Sequence, residues 1–196
     1  MAHPTGPHGT PPAAERRQGA PRYWDRIATQ YDSGFDRIAG ADLVTAVQTL
    51  VAKTVPAGDA VELGCGTGRF TRAYARRCRS VDALDLSAAM VEVARDRLAD
   101  LPHVRVQLAD AAATELPAGS ADCVVVLNLL HIVPDPAAIL AEARRLLRPG
   151  GTLVAASLTM EGVPVWQMLR TGWRVLRLWG LIPGRRTSPG RTSDAC

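Results

Sequence analysis

Residues 61–70 read VELGCGTGRF, in which three glycines alternate with other residues at the end of an apolar run. Gly64, Gly66 and Gly68 carry no side chain, so the backbone can turn tightly and a ligand can approach the main-chain N–H groups. The spacing is GxGxG, not the GxGxxG of dinucleotide sites, and no P-loop lysine follows. The stretch predicts a ligand-binding turn, with a plain strand-to-helix turn as the alternative. A nicotinamide or a triphosphate is disfavoured.

Short apolar runs alternate with longer helical stretches from Ala60 onwards. The candidate strands are AVELG, VDALDL, VRVQLAD, DCVVVLNLL and TLVAASL, and the helical stretches between them are RFTRAYARRC, SAAMVEVARDRLAD and PAAILAEARRLLR. This order predicts an α/β fold, a doubly wound and mostly parallel sheet of about five strands with helices on both faces. DCVVVLNLL is almost entirely apolar, which is typical of a strand covered on both faces.

Local signals mark the ends of several of these elements. Ser87 is a candidate N-cap, Pro136 suits a first helical turn, and Pro149-Gly150-Gly151 is expected to end the helix before the last strand. Two further helices are predicted before the sheet, in PRYWDRIATQYD and ADLVTAVQTLVAK.

Composition bounds the class of protein. The chain has 196 residues, 47% hydrophobic and 21% charged, which suits one globular domain. Six arginines and one acid in residues 170–196 contribute +5 to the net charge of +4, leaving −1 for the rest. The main body therefore does not look like a nucleic-acid-binding surface. The four cysteines have no CxxC spacing, no apolar run could span a membrane and no secretory signal opens the chain, so a cytoplasmic protein without a metal site is predicted.

Two acids stand at the ends of candidate strands. Asp85 closes the second strand, where an acid can accept hydrogen bonds from both ribose hydroxyls of a nucleoside; its alternative role is to cap the helix that begins near Ser87. Asp110 ends the third strand and could meet an adenine edge, although a loop aspartate is the simpler reading.

Taken in order, these motifs resemble class I S-adenosylmethionine-dependent methyltransferases of the ubiquinone/menaquinone-biosynthesis type (methyltransferase domain 11). The matching stretches run from about Tyr23 to Ser157: YWDRIATQYD, VELGCGTGRF, VDALDLSAAM, LADAAATELPAGSADCVVVLNLLHIVPDP and RRLLRPGGTLV. The resemblance implies a Rossmann-like fold, S-adenosyl-L-methionine as cofactor, and methyl transfer to a small-molecule acceptor by direct in-line displacement.

The resemblance also implies a role for each matching residue. Residues at the amino-acid end of the cofactor are Glu62, Gly64, Cys65, Gly66 and Gly68, with Asn128 and Leu129 facing the methionine portion. Residues at the nucleoside end are Asp85 on the ribose, Leu86 and Met90 near the adenine, and Asp110 and Ala111 at its edge. Tyr23 and Tyr31 would close over the cofactor carboxylate. His131 is the candidate general base, against the alternative of a histidine that packs or bonds to a loop carbonyl.

The C-terminal end departs from the family pattern, because two further strands are expected after strand five and LIPGRRTSPGRTSDAC shows no strand pattern. We therefore expect a methyltransferase domain over residues 21–182, between tails 1–20 and 183–196, with strand five as an exposed edge that favours a homodimer or lowers stability. The Trp-rich helix before the basic tail is expected to cover the acceptor pocket, or to touch a membrane peripherally if the acceptor is lipid- or quinone-like. A non-catalytic cofactor-binding protein with a regulatory or partner role is the alternative function.

Overall fold

The computed structural model describes residues 21–157. The expectations for residues 1–20, for the Trp-rich helix and for the basic tail lie outside that range. Within it, no helix is long and apolar enough to cross a bilayer, and no group of His, Cys, Asp or Glu side chains is arranged to hold a metal ion.

In the part of the chain that the structure describes, five parallel strands form one sheet, which confirms the predicted α/β architecture. They are β1 (Asp59–Leu63), β2 (Ser80–Asp85), β3 (Val104–Leu108), β4 (Ala121–Leu127) and β5 (Leu147–Ala156). Their spatial order is β3-β2-β1-β4-β5. The chain builds outward from β1 in one direction and then crosses to β4 on the other side, so the switch point, where such sheets bind ligands, lies between β1 and β4.

Within residues 21–157, six helices accompany these strands: α1 (Pro21–Ile27), α2 (Tyr31–Ala39), α3 (Ala41–Thr54), α4 (Arg69–Tyr74), α5 (Ala88–Leu98) and α6 (Pro136–Leu146). The first predicted helix, residues 21–32, is present as α1, a 3-10 turn over Ala28–Gln30 and the first residues of α2. Another 3-10 turn, Ala75–Arg77, continues α4. The other predicted helices end within a turn of the observed ones, but α2 continues to Ala39, about two turns beyond the predicted end.

Two apolar cores cover the two faces of the sheet. On one face Cys123 and Val125 of β4 pack with residues of α3, α4 and α5. On the other face Val124 and Val126 pack with the buried side of α6, including Ile139. Burial of β4 on both faces explains its continuous apolar sequence.

Helix caps agree with the sequence at two points, and the start of β5 differs from it. Ser87 Oγ accepts the N–H of Met90 at the start of α5, and Pro136 lies in the first turn of α6. However, α6 ends at Leu146 and the Pro-Gly-Gly segment belongs to β5. The pairing of Leu147 with Ala121 is followed by a shift in register, and Gly150 adopts a positive φ of 80°. The glycines therefore accommodate an irregularity inside the strand.

An ion-pair cluster closes the sheet at the end opposite the switch point. Arg79 and Arg148 contact Asp59 at 2.5 and 3.0 Å, and Arg148 also contacts Asp122 at 2.6 Å. The hydrogen bond from Arg79 is the largest of the effects that lower the pKa of Asp59 below its usual value. The two arginines and two aspartates thus pair with one another near the amino-terminal ends of the strands. The carboxyl ends of the strands, at the opposite edge of the sheet, carry the switch point.

Candidate functional site

A cleft opens at the carboxyl ends of β1 and β4, where the topology places the switch point. Its lining combines α2, the glycine turn, the start of α4 and the end of β4: Tyr31, Asp32, Phe35, Glu62, Gly64, Cys65, Gly66, Thr67, Arg69, Phe70, Leu127 and Asn128. Six of these were expected from the sequence: Tyr31, Glu62, Gly64, Cys65, Gly66 and Asn128. The fold thus brings the amino-acid end of the predicted site together.

The three glycines of the turn share a left-handed backbone but have different neighbours. Their φ angles are +76° at Gly64, +53° at Gly66 and +71° at Gly68. A Cβ on Gly64 would lie 2.9 Å from the side chain of Leu129, and one on Gly68 would lie 2.9 Å from that of Leu98. A Cβ on Gly66 would meet nothing within 4 Å. Gly66 alone therefore presents an open side, whereas Gly68, which does not line the cleft, is needed for packing of the turn on α5.

Glu62 brings a buried carboxyl group to the floor of the cleft. Its side chain is 1% exposed, and its Oε2 accepts hydrogen bonds from Thr71 Oγ1 at 2.5 Å and from the Tyr74 hydroxyl at 2.9 Å. Burial and, to a smaller extent, the nearby charge of Asp85 raise the pKa of Glu62 to about 7, against the lowering effect of the two hydroxyls. The group therefore changes charge near neutral pH.

Asp85 ties the glycine turn to the end of β2. Its Oδ2 accepts the Gly66 N–H at 2.8 Å, and its Oδ1 accepts the Ser87 N–H at 2.9 Å. Burial raises the pKa of Asp85, opposed by these backbone hydrogen bonds. Ser87 supplies the N-cap of α5, and Asp85 bonds both the backbone before this helix and the glycine turn.

Ion pairs and a hydrogen bond hold α2 beside the glycine turn, where it lines the cleft. Asp32 accepts a hydrogen bond from Thr67 Oγ1 at 2.8 Å and pairs with Arg97 at 2.5 Å. Arg97 also donates to Thr67 Oγ1 at 2.9 Å, which closes a three-residue network around the glycine turn. A second pair, Arg69 with Asp36 at 2.7 Å, lies further along α2. Sequence reasoning assigned no role to these residues, although Asp32 stands beside Tyr31 in one of the matching stretches.

A row of aromatic rings extends from α2 to α1. The Tyr23, Trp24, Tyr31 and Phe35 rings contact one another in sequence, with centroids 5.0 to 6.0 Å apart. Burial raises the pKa of Tyr31 to about 12. Tyr23 belongs to the row but does not line the cleft.

The covered cleft is small. It encloses about 40 Å³, whereas sites for drug-sized ligands typically span about 300–1,000 Å³. The space is therefore smaller than a ligand of nucleoside size.

The residues expected at the nucleoside end lie around the ends of β2 and β3, outside the lining of the cleft. Leu86 is 46% exposed, while Met90 is a buried residue of α5 and Ala111 is buried in the α6-side core. Asp110 is exposed, and its Oδ1 accepts the N–H of Ala112 at 2.9 Å. The structure thus brings these four residues near β2 and β3 without joining them to the covered cleft.

The loop that carries Asp110 is held in place by α6. Glu142 Oε1 accepts hydrogen bonds from the N–H of Thr114 at 2.8 Å and from its hydroxyl at 2.6 Å. Arg145 pairs with the same carboxylate at 2.7 Å and donates to the carbonyl oxygen of Leu116 at 2.8 Å. The hydrogen bond from Arg145 is the largest cause of a Glu142 pKa lowered to about 2. The loop therefore has a fixed anchor.

The loop after β4 holds the remaining candidates. Asn128 has a positive φ of 54°, and its N–H donates to the carbonyl of Ala156 at 2.8 Å. A non-glycine residue in this region is uncommon and often marks a functional site. His131 is exposed on the same loop, with Nδ1 3.4 Å from the hydroxyl of Ser157, and does not line the cleft. Leu129 packs against Gly64.

Comparisons with known proteins agree with this fold. A family model described as "Methyltransferase domain" matches residues 61–155. The ubiquinone biosynthesis O-methyltransferase of Xanthomonas campestris pv. campestris is 37% identical over 142 residues, which are 71% of this chain and 57% of that protein.

Two solved structures show the same fold. A Thermotoga maritima protein, described as a SAM-dependent methyltransferase and possible histamine N-methyltransferase, is 28% identical with a TM-score of 0.56, over 68% of this chain and 59% of that one. Phosphoethanolamine N-methyltransferase 1 of Haemonchus contortus, solved with phosphoethanolamine and S-adenosylhomocysteine, has a TM-score of 0.63 at 23% identity, over 77% of this chain and 34% of that one.

Residues 61–155 thus match the methyltransferase domain family, and this chain is similar to proteins named as an O-methyltransferase and a SAM-dependent methyltransferase. Its motifs, its sheet order and its glycine turn agree with that assignment. The chain spans 40% to 57% of the length of the first curated relatives it matches.

Proposed function

We propose that this chain binds S-adenosylmethionine in the cleft and transfers its methyl group to a small-molecule acceptor. The observation that carries the proposal is the open side of Gly66, which faces a cleft lined by the carboxyl group of Glu62. A bare backbone beside a carboxylate suits a ligand that combines a flat nucleoside with a cationic amine.

The residues present fit the two polar ends of this cofactor. Glu62 supplies a carboxylate for the ammonium group, which is a charge-assisted contact in a buried setting. Asp85 already accepts two backbone N–H groups, but a carboxylate has about four lone-pair sites. Asp85 therefore keeps acceptor capacity for the ribose hydroxyls.

The bound cofactor would supply an activated methyl group, and the protein's task is then to align the acceptor and keep water away. Phe35, Phe70 and Leu127 give the cleft apolar walls near Asn128. Such walls favour a reaction in which positive charge is lost from the sulfur. We assign His131 as general base only for an acceptor bound beside the loop after β4, because its side chain is exposed there.

We further propose an acceptor that is lipid- or quinone-like. The support is the similarity to a protein named as a ubiquinone biosynthesis O-methyltransferase. A homodimer and peripheral contact with a membrane belong to the same proposal, and both depend on residues after Ser157 that the structure does not describe.

Calorimetry with S-adenosylmethionine, followed by transfer of a radiolabelled methyl group to a panel of acceptors, tests the proposed function. The panel should include hydroxylated quinone precursors, fatty acids and simple amines. We expect saturable binding and transfer to an oxygen acceptor. Binding without transfer to any acceptor would favour the non-catalytic alternative, and absence of binding would reject the cofactor assignment.

Glu62→Gln should separate cofactor binding from folding. The amide oxygen can still accept from Thr71 and Tyr74, but no negative charge remains for an ammonium group. We expect the dissociation constant for S-adenosylmethionine at pH 8 to rise about 10- to 100-fold, the value of one hydrogen bond to a charged group.

Stability should change in the opposite direction. The folded-state pKa of Glu62, about 7, lies above the usual 4.5, so this carboxyl stabilises the fold most below pH 4.5 and loses that contribution as pH rises through 7. The glutamine variant should therefore be more stable than the parent at pH 8, by about 1–3 kcal/mol. Urea unfolding at pH 8 measures this difference, with Glu92→Gln on the exposed side of α5 as control. If Glu62→Gln lowered affinity and stability equally, the assignment of Glu62 to the ammonium group would be wrong.

A further inference from the structure

Two hydroxyl groups beneath the cleft converge on one atom. Thr71 and Tyr74, one turn apart on α4, both donate to Oε2 of Glu62. Tyr74 and Thr71 are fully buried, with 0% exposure. The hydroxyls therefore lie on the core side of the carboxylate, and the cleft lies on the other.

We propose that Thr71 and Tyr74 are positioning residues that hold Glu62 with Oε2 turned into the core and Oε1 available to a cationic amine, and that they set the pH range in which the cleft binds it. This inference rests on the proposed function, since the amine is that of S-adenosylmethionine. It adds two residues that would touch neither cofactor nor acceptor.

The geometry gives the two hydroxyls a directional effect. A hydroxyl that donates to a carboxylate oxygen stabilises the charged form. Glu62 is buried, and burial favours the neutral form. The two donors therefore oppose burial, and loss of either one should raise the pKa of Glu62 from its value of about 7.

Other groups also act on Glu62, and they remain unchanged when either hydroxyl is removed. Titratable residues that line the cleft or interact with Glu62 electrostatically come from β2, the glycine turn, α2 and α4: Asp85, Cys65, Tyr31, Asp32 and Arg69. Burial raises the pKa of Cys65 well above its usual value, so this thiol is neutral in the relevant range.

Binding of an amine cation requires the charged form of Glu62. Below the pKa of Glu62, each binding event must therefore release a proton, and the dissociation constant rises about tenfold for each pH unit. Above that pKa the requirement disappears. A variant with a raised pKa should bind as well as the parent at high pH and worse at low pH.

The test compares Tyr74→Phe and Thr71→Val with the parent by calorimetry with S-adenosylhomocysteine, from pH 6 to pH 9. One lost hydrogen bond to a charged group is expected to raise the pKa by about one unit. Each variant should therefore bind about tenfold more weakly than the parent at pH 6 and equally at pH 9. Titration of the ligand's own groups cancels from this ratio.

Two controls separate positioning from a structural effect. Thr71→Ser keeps the hydroxyl and should bind S-adenosylhomocysteine as the parent does at every pH. Thr49→Val removes an exposed hydroxyl that bonds only the helix carbonyl of Thr45, and should bind like the parent at every pH. A defect of equal size at pH 6 and pH 9, or no defect at pH 6, would overturn the inference.

A second readout does not depend on the ligand. Carbon-13 NMR of glutamate-labelled protein follows the Glu62 carboxyl in the free chain, where its midpoint should move upward by about one unit in Tyr74→Phe. If the midpoint moves but S-adenosylhomocysteine does not bind the parent, the proposed function fails alone. If the ligand binds and the midpoint stays, the role of Thr71 and Tyr74 fails alone.

Discussion

Gly66→Val is expected to abolish detectable binding of S-adenosylmethionine, with a loss of more than about 100-fold, or about 2.7 kcal/mol. A Cβ at this position meets no protein atom within 4 Å, so the new side chain would project into the space left for the ligand. Calorimetry measures the loss. A folded variant that retains the parent's affinity would show that the glycine turn is only structural.

The control for this substitution is Gly119→Val. Gly119 has a φ of +62° and, like Gly66, has no atom within 4 Å of an added Cβ. Both variants carry the same backbone strain, about 1–2 kcal/mol for a left-handed residue, so thermal melting should register similar losses. Only the change at Gly66 should affect binding. Gly66→Ala gives a milder version for use if the valine variant does not fold.

Asp85→Ala is expected to weaken binding of S-adenosylmethionine about 30- to 1000-fold, since two charge-assisted hydrogen bonds to the ribose would be lost. The change also leaves the N–H groups of Gly66 and Ser87 without their acceptor. We therefore expect a simultaneous loss of stability of about 1–3 kcal/mol. Calorimetry and urea unfolding measure the two effects separately.

Asp82→Ala provides the comparison on the same strand. Asp82 is buried and pairs with Arg105 at 2.8 Å, without lining the cleft. Its loss should lower stability and leave the affinity unchanged. The ribose assignment fails if the Asp82 and Asp85 variants lose affinity to the same extent, or if neither loses any.

The sheet was predictable because its strands carry strong local signals. The apolar run of β4 needs burial on both faces, and the fold provides it. The glycine turn and Asp85 were also recognisable, because each lies at the end of a short apolar segment. Their approach to one another follows from parallel pairing of β1 with β2, which brings the two carboxyl ends to one edge.

The cover of the cleft was not predictable in the same way. Asp32, Thr67 and Arg97 are separated by about thirty residues at each step. A contact between single polar side chains on separate elements leaves no periodic pattern in the sequence, and here it depends on the packing of α1 and the following 3-10 turn on α5.

The start of β5 was misread for a related reason. Pro149-Gly150-Gly151 has the local chemistry of a helix end, but pairing with β4 extends the strand through it. The tertiary hydrogen bonds of the sheet overrode the local preference. The sequence also could not distinguish the roles of Gly64, Gly66 and Gly68. All three are glycine, and only the structure shows which atoms surround each of them.

The different neighbours of the three glycines predict which glycine substitutions a second-site change can rescue. A side chain added at Gly68 collides with Leu98, and one added at Gly64 collides with Leu129, so a smaller residue at the neighbouring position can relieve part of each defect. No protein atom lies within 4 Å of a Cβ added at Gly66, so no smaller neighbouring side chain could relieve a clash there. In a selection for second-site revertants, compensating changes should arise for the two outer glycines, while the central position should recover only by true reversion.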